Sequence, residues 1–215
     1  MTEETQSLNS KLNQTTGVRP FDFPITFQFK IGTLASDFVV KDAHGNTIAF
    51  VRQKMFKFKE AIMIYADESK ANLLYKINAD RILDFNARYA FSNAEGEEIG
   101  SVGRKGMASI WKANYEIFDQ NKNHDFHIRE ENPWTKVFDG LLGQIPVLGL
   151  FTGYLLNPKY AVTAADGTMV VRLSKEASFF GRKFKLDQLA DLGKGDSERI
   201  LLALMMMVLL ERRRG

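Results

Sequence analysis

The chain contains no cysteine, and this absence excludes several kinds of site at once. Disulfide bonds, thiolate metal ligands, cysteine nucleophiles and S-acyl anchors all require a thiol. Proline is scarce as well, with five residues in 215, so there is no proline-rich recognition arm. Basic side chains exceed acidic ones by only three, a balance that permits binding to anionic lipid or nucleic acid without indicating it.

Catalytic motifs are also missing. The sequence has no G-x-S-x-G, no phosphate-binding loop, no G-x-G-x-x-G and no H-E-x-x-H. The acid pairs Glu97–Glu98 and Glu130–Glu131 lie in or beside expected turns, where solvated carboxylates are common. We therefore expect that the protein is not an enzyme and that it has no catalytic residues.

The first 20 residues are polar and poor in apolar side chains. This composition predicts a disordered or extended lead-in over residues 1–20. Because it contains no apolar h-region, we expect no secretory signal and a cytoplasmic protein, peripheral at the inner face of a membrane if it contacts one.

What the sequence does contain is one repeated pattern, in which a polar turn rich in Asp, Asn and Gly separates two runs of alternating apolar residues. This pattern is typical of β-hairpins. Counting these runs gives roughly 11 or 12 short, evenly spaced strands, which favours a barrel or a sandwich. The pattern occurs in Phe38–Val51, Met63–Ile77, Tyr89–Val102, Tyr115–Ile128 and Tyr160–Leu173.

The C-terminal segment differs, because Ile200–Leu210 has no polar side chain. Its leucine, alanine and methionine residues favour a helix over about 197–211, capped by Asp196 or Ser197, with Arg212–Arg214 keeping its end in water. Eleven residues reach roughly 16 Å, about half of a bilayer core, so the segment is too short to span. Since it is apolar on every face, it should be enclosed on every side.

These features predict one domain over residues 21–215. The expected fold is all-β with one central helix: a closed antiparallel β-barrel of about 12 strands, wrapped around the hydrophobic C-terminal helix.

This arrangement resembles the tubby C-terminal-like superfamily, and most closely its phospholipid scramblase and LURP-one-related branches. The resemblance rests on FVVKDAHGNTIAFV, YAFSNAEGEEIGSVGRK, YAVTAADGTMVVRL, SFFGRKFKL and the terminal ILLALMMMVLLE. It implies a barrel around a central helix, in a group whose members mostly bind membranes, phosphoinositides or other proteins. The chain lacks the cysteine cluster and the proline-rich arm of scramblases, which weakens a scramblase assignment.

Two groups of residues are candidates for binding. The segment Gly140–Asn157 is uncharged and contains several glycines, so it is a membrane span, a loop dipping into lipid or, as we favour, a partly buried connection. Basic clusters suit anionic head groups, although a solvated surface is the simpler alternative. The basic candidates are Arg52, Lys54, Lys57, Lys59, Arg104, Lys105, Arg182 and Lys183.

One polar segment has the spacing of a calcium loop, and calcium is the only cofactor that we consider. Its oxygen-bearing residues stand at positions 1, 3, 5, 7 and 12 of an EF-hand-like loop: Asp119, Asn121, Asn123, Asp125 and Glu130. The glycine required at the sharp turn is replaced by His124, and a polar hairpin turn is the alternative. His124 and His127 are three apart in an expected strand and should point to opposite faces, which argues against a transition-metal site.

Taken together, these patterns favour a non-enzymatic module that binds phospholipid or a membrane surface. The alternative is a soluble protein-binding scaffold of the LURP-one-related type without lipid activity. Nucleic acid is a less favoured partner, because the alternation of Lys57 and Lys59 with Phe56 and Phe58 is also what a barrel wall requires.

Overall fold

The computed structural model describes residues 21–30, 37–53, 61–79, 88–104, 114–131, 158–176 and 183–212, with side chains up to residue 210. The described residues form twelve strands followed by one helix. The strands are β1 Ile25–Phe29, β2 Phe38–Lys41, β3 Thr47–Arg52, β4 Ile62–Tyr65, β5 Leu73–Ala79, β6 Arg88–Asn93, β7 Glu98–Arg104, β8 Asn114–Phe118, β9 His124–Glu130, β10 Lys159–Ala164, β11 Met169–Glu176 and β12 Lys183–Gln188; the helix α1 is Lys194–Arg212.

The twelve strands form a closed barrel in which each strand pairs antiparallel with its neighbours in sequence and β1 pairs with β12. The register aligns side chains of successive strands into rows on the inner face. One such row contains Phe29, Phe38, Val51, Ile64 and Tyr75, all of them buried. The expected fold, a barrel of about 12 strands with a single C-terminal helix, is confirmed.

Helix α1 fills the barrel. Every residue from Ile200 to Leu209 is at most 2 % exposed, which explains why this segment is apolar on all faces. Among the described residues, no helix combines the length and the apolarity that crossing a bilayer requires.

The beginning of α1 differs from the expectation. The helix starts at Lys194, and the carbonyl of Gly193 accepts hydrogen bonds from both the backbone N–H and the hydroxyl of Ser197, each at 3.0 Å. Asp196 and Ser197 therefore lie in the first turn and neither is the N-cap, so that prediction was wrong.

The five hairpins whose turns the structure describes share one irregularity. In each of them, the second strand carries one residue without a register partner, a β-bulge close to the turn. In β3, for example, the extra residue Ile48 and the residue after it, Ala49, are both buried in the core, so two consecutive side chains pack on the inner side. The alternation of faces is thereby shifted by one position. The extra residues are Ile48, Leu74, Ile99, Asp125 and Val170.

The barrel has two rims. The hairpin rim carries the turns 42–46, 66–72, 94–97, 119–123 and 165–168, all of them described. At the opposite rim the odd-numbered strands end and the even-numbered strands begin, from β2 at Phe38 to β12 at Lys183. Helix α1 begins at the hairpin rim, where Arg199 packs against Gly100, and its roughly 28 Å length runs towards the opposite rim.

Glu198 lies half-buried in the hairpin-rim mouth, where burial raises its pKa above 4.5 and a hydrogen bond with Tyr75 partly opposes the rise. A raised carboxyl pKa means that the folded state holds the proton more tightly. Ionised Glu198 therefore costs stability as pH rises above 4.5. We expect Glu198→Gln to raise the free energy of unfolding at pH 7.5 and to change it little at pH 4, as measured by urea denaturation.

The exposed turn residue Glu95 offers the matched control, because Glu95→Gln removes the same charge without relieving burial. A gain from Glu198→Gln that is as large at pH 4 as at pH 7.5 would contradict the electrostatic explanation.

Candidate functional site

The hairpin rim is acidic. Hydrogen bonds within the turns lower the pKa of three of its aspartates: the Asn46 side chain acts on Asp42, the Asn123 side chain on Asp119, and the Thr168 backbone N–H on Asp166. These carboxylates therefore remain charged at neutral pH. Only Lys70 and Lys122 supply positive charge within the five turns, against Asp42, Asp67, Glu68, Glu95, Glu97, Asp119 and Asp166.

The described strand ends at the opposite rim are basic. They carry Arg52, Arg88, Arg104, Lys159, Lys175 and Lys183. The Arg88 guanidinium, however, lies over the Phe118 ring at the hairpin-rim end of β8. The acids there are paired or enclosed: Glu131 pairs with Arg172 at 2.6 Å, and Asp37 and Glu130 are buried. Glu176 pairs with Lys183 at 2.8 Å, so that these two charges offset each other. Among the described residues, most acidic turns thus lie at one rim and most basic strand ends at the other, a separation that the small net charge does not reveal. The β4–β5 turn is an exception, because its Glu68 pairs with Lys30, just beyond the end of β1, and its Lys70 lowers the pKa of Asp37.

Three of the predicted basic residues are described, and the topology brings Arg52, Arg104 and Lys183 to this same rim. Arg52 lies near Asp37, whose pKa is raised by burial and partly lowered again by the arginine. The register places Arg104 opposite the inward-facing Tyr115. The other five, Lys54, Lys57, Lys59, Lys105 and Arg182, lie outside the described residues, each within seven positions of a strand end at this rim.

The uncharged segment Gly140–Asn157 also lies outside the described residues. Whether it is a membrane span, a loop dipping into lipid or a partly buried connection therefore stays a prediction. The described residues that flank the long stretch containing it meet at the opposite rim, where the backbone N–H of Glu131 donates to the carbonyl of Lys159 at 2.8 Å.

The calcium-like spacing of Asp119 and Asn123 arises from a turn motif. Asp119 accepts hydrogen bonds from the backbone and the side-chain amide of Asn123, at 2.7 and 2.9 Å. Asp42 accepts the same pair of bonds from Asn46, at 2.8 and 3.0 Å, in the β2–β3 turn. A short turn closed by its own Asp side chain therefore accounts for the spacing without any cation.

The remaining calcium candidates point elsewhere. Asp125 is the extra residue of the β9 bulge and binds the Arg199 guanidinium of α1 at 2.8 Å. Glu130 is buried at the other end of β9, at the opposite rim. Together with Asn121 in the turn, these predicted ligands do not surround a common point, so calcium binding stays a prediction that the geometry does not support.

The expectation that His124 and His127 point to opposite faces was wrong. Strict alternation would separate residues three apart, but the extra residue Asp125 shifts the alternation by one. Both imidazoles consequently lie on the outer face, with ring centroids 6.0 Å apart. Their neighbour across the strand pair is Glu116, which pairs with His127 in the register.

A comparison with models of protein families identifies the family of this chain. The model described as LURP-one-related matches residues 47–191, which reach from the beginning of β3 to the segment just before α1. The chain belongs to the LURP-one-related family. This LURP-one-related chain is therefore also a member of the tubby-like superfamily, as the sequence resemblance predicted.

Among solved structures, the chain is similar to a protein from Arabidopsis thaliana determined by X-ray crystallography. The two are 13% identical, the alignment covers 91% of this chain and 94% of the plant protein, and the TM-score is 0.49. No curated protein sequence matches the chain significantly.

Proposed function

We propose that this LURP-one-related barrel is a non-enzymatic module that binds anionic phospholipid at a membrane surface through its opposite rim. The observation that carries the proposal is the segregation of charge, with basic strand ends at one rim and acidic turns at the other. A barrel charged in this way orients itself on an anionic surface, since its acidic rim is repelled while its basic rim is attracted.

The sequence between the strand ends of the opposite rim supports the same surface. Besides lysine, it contains both tryptophans, Trp111 and Trp134, and the phenylalanines Phe56, Phe58, Phe179 and Phe180. Aromatic side chains interleaved with cations are typical of segments that contact the head-group region of membranes.

A test compares two variants that each lose four lysines. The rim variant replaces Lys54, Lys57, Lys59 and Lys105 by glutamine, and the control variant replaces Lys41, Lys76, Lys122 and Lys194, none of which lies at the opposite rim. A cation near an anionic membrane contributes about 1 kcal/mol. We expect the rim variant to lose at least about tenfold in co-sedimentation with vesicles of phosphatidylserine in phosphatidylcholine at low salt.

The control variant should bind almost as well as the unaltered chain, although its net charge is the same as that of the rim variant. Equal losses in both variants would mean that total charge matters and rim position does not. If the unaltered chain fails to bind at low salt, the proposal is wrong, and the alternative of a protein-binding scaffold without lipid activity is favoured.

A further inference from the structure

The geometry points to a binding site for a divalent transition metal on the outer face of the β8–β9 hairpin, formed by Glu116, His124 and His127. Each residue offers one ligand atom, and these three atoms lie within 4.8 Å of one another. Metal–ligand lengths of about 2.0–2.2 Å place tetrahedral ligand atoms about 3.3–3.6 Å apart. Side-chain rotations must therefore bring the three ligand atoms closer together, and for His127 this means giving up its contact with Arg129.

The β9 bulge is what makes the site. Because Asp125 has no partner in the register, His124 pairs with Phe118 while His127 pairs with Glu116. Side chains two apart on β8 share a face, so both histidines come to the face of Glu116 and Phe118. The equivalent bulge in β11 has the same effect, since Arg172 contacts the sulfur of Met169, three residues earlier, at 3.6 Å.

The five hairpins provide an internal comparison, because all share this bulge. Among them, the β8–β9 hairpin is the one that places metal ligands at all three positions. The equivalent sets are Val39, Thr47 and Phe50; Met63, Leu73 and Lys76; Ala90, Glu98 and Ser101; and Ala161, Met169 and Arg172. The hairpin geometry is therefore common, and the donor set is particular to one hairpin.

The donor set selects the class of metal. Two imidazoles and one carboxylate suit Zn²⁺, Ni²⁺ and Cu²⁺, whereas calcium and magnesium favour ligand sets made only of oxygen. Three protein ligands leave a fourth position for water. His124 is exposed and Glu116 and His127 are half-buried, so an ion from solution can reach all three.

Two neighbours of His127 compete with a metal ion. Arg129, on the same strand, donates its Nε–H to Nε2 of His127 at 3.1 Å, and the side-chain oxygen of Asn114 lies against the same nitrogen. Arg88 adds a second guanidinium nearby, over the Phe118 ring at 4.3 Å. A bound ion must displace the Arg129 contact, so the affinity of the unaltered site is held down by this arginine.

The site is tested by titrating Zn²⁺ into the full chain, after treatment with and removal of a chelator, with isothermal calorimetry. We expect one site per chain that is weakened at least tenfold by His124→Asn, by His127→Asn or by Glu116→Gln. His44 supplies the matched control, since His44→Asn removes the remaining histidine, in the β2–β3 turn, and should leave the titration unchanged. Unaltered Zn²⁺ binding in the His124 and His127 variants, or no binding to the unaltered chain, overturns the inference.

Arg129→Gln changes the affinity in the other direction. Since it removes a competing donor and a positive charge, we expect it to strengthen Zn²⁺ binding severalfold, an outcome that damage to the fold would not produce. Thermal unfolding without metal verifies that each variant folds. Excess Ca²⁺ should not displace Zn²⁺, and displacement by Ca²⁺ would show that the ligands are not the two imidazoles.

Discussion

Replacing Leu204 with aspartate is expected to abolish folding. Leu204 is fully buried in the middle of α1, surrounded by the barrel wall. A carboxylate there has no partner, and even its protonated form loses its hydrogen bonds to water, at a cost of several kcal/mol in addition to the lost packing. The whole stability of a domain of this kind is about 5–15 kcal/mol. Circular dichroism and thermal unfolding should therefore show no cooperative transition.

Two controls separate the enclosure of α1 from a general sensitivity to substitution. Leu189→Asp introduces the same charge at a side chain that is 46% exposed and should leave the unfolding temperature nearly unchanged. Leu204→Met keeps the site apolar at similar volume and should cost less than about 1.5 kcal/mol. A cooperative, unaltered unfolding transition for Leu204→Asp would contradict the position of the helix inside the barrel.

The fold was predictable from the sequence because two strong patterns agree. The turns combine residues that close on themselves, such as Asp42 with Asn46, with alternating runs whose apolar positions become the inner face of the wall. A helix that is apolar on all faces needs an enclosure, and a closed sheet is one. The start of α1 was harder to predict, since the residue at the N-cap position is Gly193, which has no side chain that could mark it.

The bulges were not predicted, although three of them leave a trace in the sequence. In these three, two neighbouring apolar side chains follow the turn: Ile48–Ala49, Leu74–Tyr75 and Val170–Val171. In β9 the extra residue is Asp125, which binds Arg199, so the trace is lost. Strict alternation then assigns His124 and His127 to different faces. The calcium loop illustrates a different difficulty. The hydrogen-bonded turn between Asp119 and Asn123 has the same residue spacing as part of a calcium ligand set, and the sequence alone does not separate the two.

The segregation of charge was missed because it depends on the direction of successive strands. Along the sequence, acidic turns and basic strand ends alternate every few residues, and their sum is close to zero. The barrel topology is needed to see that turns leading from an even-numbered to an odd-numbered strand, such as β2–β3, lie at one rim. Connections leading from an odd-numbered to an even-numbered strand, such as β3–β4, lie at the other. Once twelve strands are known to alternate around a closed barrel, the two classes of segment can be identified in the sequence and their charges compared.

Gly100→Ala is expected to be the most damaging of the glycine substitutions in the wall. Gly100 has a φ of +149°, which side-chain-bearing residues rarely adopt. A Cβ there would lie 2.5 Å from the carbonyl oxygen of Phe118 and 2.7 Å from Cδ of Arg199. That carbonyl belongs to a strand paired with β7, and Arg199 is held by Asp125 and Asp196, so neither group can move freely.

Backbone strain and overpacking together predict a loss of about 3 kcal/mol or more in the free energy of unfolding, measured by urea denaturation. Gly45→Ala is the matched control, because Gly45 has a φ of +82° but no atom within 4 Å of the position that a Cβ would occupy, so it should lose only the conformational term of about 1 kcal/mol. If the contact with Arg199 contributes, combining Gly100→Ala with Arg199→Ala should cost less than the two changes separately. Equal losses at Gly100 and Gly45 would contradict the prediction, because they would mean that the close contacts of Gly100 with Phe118 and Arg199 do not limit what fits there.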